Sequence, residues 1–197
     1  MKKIVLAVDG STYSMQAARF LARMPHQEPL ELMLLSVAEV PPHTRDYPTG
    51  DWLQESLERA RSAAADWFKQ IDQLFQGADV KVTHELREGH LGESIVQFAG
   101  EQKADMVVLG ARGHSRVGRI LLCSTSYYLA THSPCSVLVV RPRVSGRDDA
   151  DLRIDIAYEE ADPADAAIAE FGIFLWGPDV EDDVFSVESY LYGFFTE

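Results

Sequence analysis

The sequence predicts an α/β fold, an open doubly wound parallel sheet of five strands. Short apolar segments rich in β-branched residues alternate with longer segments of helical period. Proline and glycine fall between them. Two of the short segments, Val107-Val108-Leu109 and Val137-Leu138-Val139-Val140, are apolar throughout, as strands covered on both faces are. Strands joined by helices pair in parallel through right-handed crossovers.

Residues 3–8 form the first expected strand, and Asp9-Gly10-Ser11 a turn out of it. A helix over 12–23 places Met15, Ala18 and Leu21/Ala22 on one face, and Pro25 and Pro29 close it. A second strand spans 30–37. Pro41, Pro42, Pro48 and Gly50 mark an exposed loop. The long helix over 51–76 carries Leu53, Leu57, Ala60, Ala64, Trp67, Phe68, Ile71 and Leu74 at helical spacing and stops at Gly77. Strands over 80–85, 105–110 and 137–141 and helices over 91–102 and 124–131 complete the unit, and Pro142 ends it. Sheets of this kind bind ligands at the carboxyl ends of the strands, where strand order reverses. The loops after the first, second and fourth strands are therefore the ones to inspect.

The net charge of −13 is not spread evenly. Residues 1–142 carry 15 Lys/Arg against 16 Asp/Glu, and residues 143–197 carry 3 against 15. This change in composition sets a boundary near residue 143. The units expected are a domain over 1–142, a linker over 143–150 and an acidic segment over 151–197. Neither part has a basic stripe, which argues against a nucleic-acid partner. No apolar run approaches the roughly 18 residues that cross a membrane. Asp9 and Gly10 cut the opening apolar run too short for a signal peptide, so a cytoplasmic address is expected. Two cysteines, Cys123 and Cys135, fit a reducing compartment. The six histidines show no Cys/His spacing typical of zinc.

The acidic segment repeats the start of the chain. At an offset of 150, Lys3-Ile4-Val5-Leu6-Ala7-Val8-Asp9 falls on Arg153-Ile154-Asp155-Ile156-Ala157-Tyr158-Glu159. Ala17 falls on Ala167, and Leu34-Leu35-Ser36-Val37 on Val184-Phe185-Ser186-Val187. The class of residue repeats through strand, helix and strand. The expectation is a degenerate, truncated β-α-β copy. Such a fragment buries too little surface to stand alone, so docking on the first domain or pairing with a second chain is expected.

The segment richest in chemical signal runs from Val107-Val108-Leu109-Gly110 through Ala111-Arg112-Gly113 to Cys123-Ser124-Thr125. It leaves a buried strand, passes glycines and opens a helix with hydroxyl side chains. Backbone amides at a helix start carry partial positive charge and suit a phosphate. The Ser124 and Thr125 hydroxyls and the Arg112, Arg116 and Arg119 guanidinium groups add donors and charge. The same residues also fit a plain turn followed by a serine N-cap, so spacing alone leaves both readings open. No Walker lysine follows the glycines, and no general base stands beside them.

In this pattern the chain resembles the universal stress proteins. Their nucleotide-binding branch has G, two residues, G, nine residues, G, then S or T after the fourth strand. Here the positions are Gly110, Gly113, Cys123 and Ser124. Ile4 to Ser11, Gly89-His90, Asp105 to Gly110 and His132 to Arg141 match further blocks. The resemblance covers about residues 1–142. It implies an adenine nucleotide alpha hydrolase-like sheet of order 3-2-1-4-5 that holds ATP, with a divalent ion such as Mg²⁺ in some members. Asp9 matches the acidic residue near ribose and phosphates, and Val37 the strand end that meets adenine. Gly110, Arg112, Gly113, Ser124 and Thr125 match the phosphate loop. It implies no catalytic residue and no fixed metal ligand, and it implies a homodimer joined through the fifth strand. Cys123 departs from the pattern, because a side chain replaces the third glycine where a phosphate would lie. The expected function is a regulatory ATP-binding module in the stress response with little or no turnover. A slow Mg-dependent ATPase and a nucleotide-free dimeric interaction module are the alternatives.

Overall fold

The structure, a computed structural model, describes residues 1–24, 26, 29–39, 50–111, 124–141, 153–158 and 181–186. The first unit alternates β1 (Lys2–Ala7), α1 (Thr12–Arg23), β2 (Leu30–Ala38), α2 (Gly50–Leu74), β3 (Val80–Glu88), α3 (Leu91–Gln102), β4 (Met106–Gly110), α4 (Ser124–His132) and β5 (Ser136–Val140). All five strands run parallel in the order β3-β2-β1-β4-β5. Strand order therefore reverses between β1 and β4, the place where open α/β sheets keep their ligands.

Alternation along the strands divides the core into two layers. Val5, Met33, Leu35, Val107 and Leu109 join Ile95, Phe98, Ala99 and Leu129 in one cluster, so α3 and α4 cover that face. Ile4, Leu6, Leu32 and Leu34 are equally buried and point to the opposite face. There α1 and α2 bury Ala17, Ala18, Leu21, Ala64, Phe68 and Ile71. At about 25 cal/mol per Å² of apolar surface, these two layers are the main term holding the sheet.

Several elements differ in detail from expectation. The buried stripe of α1 is Ser14, Ala17, Ala18 and Leu21, rotated from the one containing Met15 and Ala22. Small residues on that stripe let the helix lie close to the sheet. In α2 the helix closes at Leu74, where Phe75 N–H donates to Asp72 O at 3.2 Å, and Gly77 at φ +83° turns the chain. Phe75 is buried while Leu74 is exposed. Strand β3 runs three residues longer than expected because Leu86, Arg87 and Glu88 continue the ladder opposite Ser36, Val37 and Ala38.

At the amino end of the sheet, Asp105 ties two central strands together. Its Oδ2 accepts from Lys3 N–H at 2.7 Å, and its own N–H donates to Lys3 O at 2.9 Å. Lys3 Nζ donates to Gln102 O, at the last residue of α3.

A second compact unit contains β6 (Arg153–Tyr158) and β7 (Glu181–Ser186). They pair in parallel, Arg153 opposite Glu181 through Tyr158 opposite Ser186. In the first unit, Lys3 stands opposite Glu31 and Ile4 opposite Leu32. Both pairs thus join residue i to residue i+28.

Candidate functional site

The carboxyl ends of β1 and β4 open into a narrow cleft of about 50 Å³. Its apolar wall is Leu35, Leu91, Ile95 and Leu109, and its polar members are Asp9, Ser14 and Thr125, with Gly110 at the strand end.

Local chemistry accounts for each wall. Asp9 follows β1, and its Oδ1 accepts the Ser11 N–H at 2.9 Å, an Asx turn. Gly10 takes φ +74°, a conformation costly for a residue with a Cβ. Ser11 then caps α1: its Oγ accepts from Ser14 N–H at 3.2 Å, and Ser14 Oγ donates to Ser11 O at 3.1 Å. The first turn of α1 is thereby held at the cleft. On the other side, α4 starts at Ser124, which is exposed, while Thr125 faces the cleft and Ser126 is buried. Two helix N-termini thus approach the same strand ends, and both favour negative charge there.

Gly110 serves packing rather than a left-handed turn. It is the last residue of β4, and a Cβ on it would lie 2.6 Å from Tyr13 C and 2.8 Å from Ser14 N. Only a residue without a side chain lets the backbone of α1 come this close.

Of the residues singled out from the sequence, Asp9, Gly110 and Thr125 come together in the cleft, and Ser124 adjoins them at the head of α4. Val37 packs against the core on the α3/α4 face. It lines a separate recess of about 330 Å³ with Ala38, Glu39 and four residues of α2: Leu53, Ser56, Leu57 and Ala60. Arg112, Gly113 and Cys123 lie outside the described residues. Among the described residues no group of three His, Cys, Asp or Glu side chains is placed to hold a metal ion. No helix of the described residues is long and apolar enough to cross a membrane.

Sequence reasoning missed Ser14, Leu35, Leu91, Ile95 and Leu109. Ser14 had a legible signal, since it stands three residues after the N-cap Ser11. The four apolar residues read as core, and only the topology shows that their outer ends line an opening.

The family model for the universal stress protein family matches residues 1–141. The chain belongs to the universal stress protein family. A universal stress protein of Methanocaldococcus jannaschii is 31% identical over 140 residues, covering 71% of this chain and 82% of that protein. A solved structure of a universal stress protein from Lactobacillus plantarum is 27% identical, with a TM-score of 0.62 over 71% of this chain and 97% of that one. A universal stress protein from Archaeoglobus fulgidus shares the fold over 95% of this chain and 66% of its own, at 19% identity and a TM-score of 0.65. A family member from Arabidopsis thaliana, solved with AMP bound, shares the fold at 14% identity and a TM-score of 0.53, over 73% of this chain and 94% of its own. Nucleotide-bearing structures thus occur among proteins with this universal stress protein fold.

Proposed function

We propose that the first unit binds an adenine nucleotide, ATP by preference, and acts as a cytoplasmic regulatory module with little or no turnover. The observation that carries this reading is the cleft at the β1/β4 switch point. Its apolar walls suit the faces of a base, and its polar mouth lies beside two helix N-termini that favour phosphate. AMP in the Arabidopsis thaliana structure supports the same ligand class. Asp9 and Thr125 are the side chains assigned to the ribose and phosphates, with Ser124 beside them. Arg112 and Gly113 belong to the same proposed phosphate loop, Val37 to the adenine end, and any Mg²⁺ would bind through the phosphates.

Nucleotide released from the purified protein, followed by an ATP titration with Mg²⁺, tests the reading. Binding in the micromolar to sub-millimolar range is expected. Asp9→Ala is expected to weaken it by about ten-fold or more, equivalent to roughly 1.4 kcal/mol. Asp9→Asn keeps the acceptor for Ser11 N–H but removes the charge, so it separates the turn from the carboxylate. No affinity at millimolar ATP would leave a nucleotide-free interaction module, and turnover lost in Asp9→Ala would indicate an ATPase.

We further propose that residues 151–197 are the opening β-α-β of a second universal stress protein unit. The shared i to i+28 pairing of β1/β2 and β6/β7 supports this, at the same offset of 150 that relates the two sequences. A homodimer through β5 is part of the same proposal. Among the described residues β5 pairs with β4 alone, which leaves one strand edge open.

A further inference from the structure

We infer that Trp67 is a positioning residue for the nucleotide site, an inference that rests on the nucleotide reading above. Trp67 stands on α2, distant in sequence from every residue of the cleft, and its spacing alone assigns it to the core. The structure puts its indole against the backbone of Gly10. A Cβ on Gly10 would overlap ring atoms Cε2 and Cζ2 and lie 2.5 Å from Nε1. The ring therefore occupies the space that the missing side chain leaves.

Gly10 is the hinge of the turn that matters. Asp9 before it faces the cleft, and Ser11 after it caps α1. The orientation of both depends on the φ of +74° at Gly10. A glycine pays more entropy to hold one conformation than any other residue. Packing from outside reduces the alternatives open to it. Trp67 supplies that packing from a fixed base: Ala64, Phe68 and Ile71 around it on α2 are buried. The same helix is tied to β3, because Phe68 stacks on His84 with centroids 5.0 Å apart and Asp72 Oδ1 meets His84 Nε2 at 2.8 Å. Preorganisation of this kind raises affinity by lowering the cost of ordering the site on binding.

The test uses the full chain and two readouts. Equilibrium dialysis with labelled ATP and Mg²⁺ gives affinities for wild type, Trp67→Phe and Trp67→Ala. Fluorescence of a Trp52→Phe/Trp176→Phe protein, in which Trp67 is the remaining tryptophan, reports the ring itself. Trp67→Ala is expected to bind about three- to ten-fold more weakly than wild type, with Trp67→Phe in between. Trp67 emission should change along the same isotherm as dialysis. Wild-type affinity in a folded Trp67→Ala protein, or emission that stays flat while ATP binds, overturns the inference and leaves the nucleotide reading standing. If wild type itself binds no ATP, the nucleotide reading fails and takes this inference with it. Should Trp67→Ala not fold, Trp67→Phe and the emission isotherm decide.

Discussion

At the scale of single residues, the cleft depends on two glycines that do different work. Gly10 supplies a left-handed turn, which the Asp-Gly pair signals in the sequence. Gly110 is extended, and its need for a bare Cα comes from Tyr13 and Ser14 nearly a hundred residues earlier. The contacts are with backbone, so they cannot be relieved by a rotamer change. Gly110→Ala is therefore expected to cost about 1–3 kcal/mol, the range for overpacking. Urea unfolding should show a lower midpoint with an unchanged slope. The variant should also bind nucleotide more weakly, since α1 must move away from the cleft. A midpoint equal to wild type would mean that α1 does not lie this close. The contrast explains what was legible in the sequence. Asp9 and Gly10 announce themselves by local turn chemistry, whereas the packing need for a bare Cα at Gly110 has no local signal. Its partners are brought to it by topology, which no local pattern encodes.

Among the elements, type and order were readable because each strand and helix has its own hydrophobic period. Ends were less so. β3 outran its apolar core because pairing with β2 decides its length, and the last residues, Arg87 and Glu88, are charged. Arg87 shows what such a residue does at a sheet edge. Its guanidinium lies 4.7 Å from the Phe98 ring centre, and its Nη1 donates to Glu101 Oε1 at 3.1 Å, joining β3 to α3. Hydrogen bonding to Arg87, and next to it the Gln97 amide, holds the Glu101 carboxyl below the ordinary glutamate value near 4.5. A carboxyl lowered in the folded state stabilises the fold above its unfolded value. That contribution disappears as pH falls through the folded value. Stability should thus decline as pH drops below about 4.5, and Glu101→Gln should make that decline shallower. At neutral pH the difference should be small, because the pair is partly exposed and screened by water. Equal acid slopes for the two proteins would show that this link does not persist in solution. Glu31, lowered by its hydrogen bond to Lys81, contributes to the same limb and leaves a residual slope in the variant.

For the molecule as a whole, the two units share strand register but not the chemistry of the turn after the first strand. At the offset of 150, Asp9-Gly10-Ser11 falls on Glu159-Glu160-Ala161. Glu160 brings a side chain and a negative charge to the place of a glycine that sits at φ +74° in the first unit. Ala161 has no hydroxyl to cap a helix as Ser11 does. The segment also carries most of the net negative charge of the chain, with 15 Asp/Glu against 3 Lys/Arg over residues 143–197, a poor setting for a polyphosphate. These differences predict one nucleotide per chain, held by the first unit. Calorimetric titration with ATP and Mg²⁺ should give a stoichiometry near one, and Asp9→Ala should lower the affinity of that single class of site without uncovering another. Glu160→Gly, which restores the turn residue alone, should leave the stoichiometry unchanged, because neither the cap nor the local charge is restored with it. Two equivalents bound per wild-type chain would refute the assignment of the site to the first unit alone. Such a result would also mean that strand register, rather than turn chemistry, is enough to build the anion site in this fold.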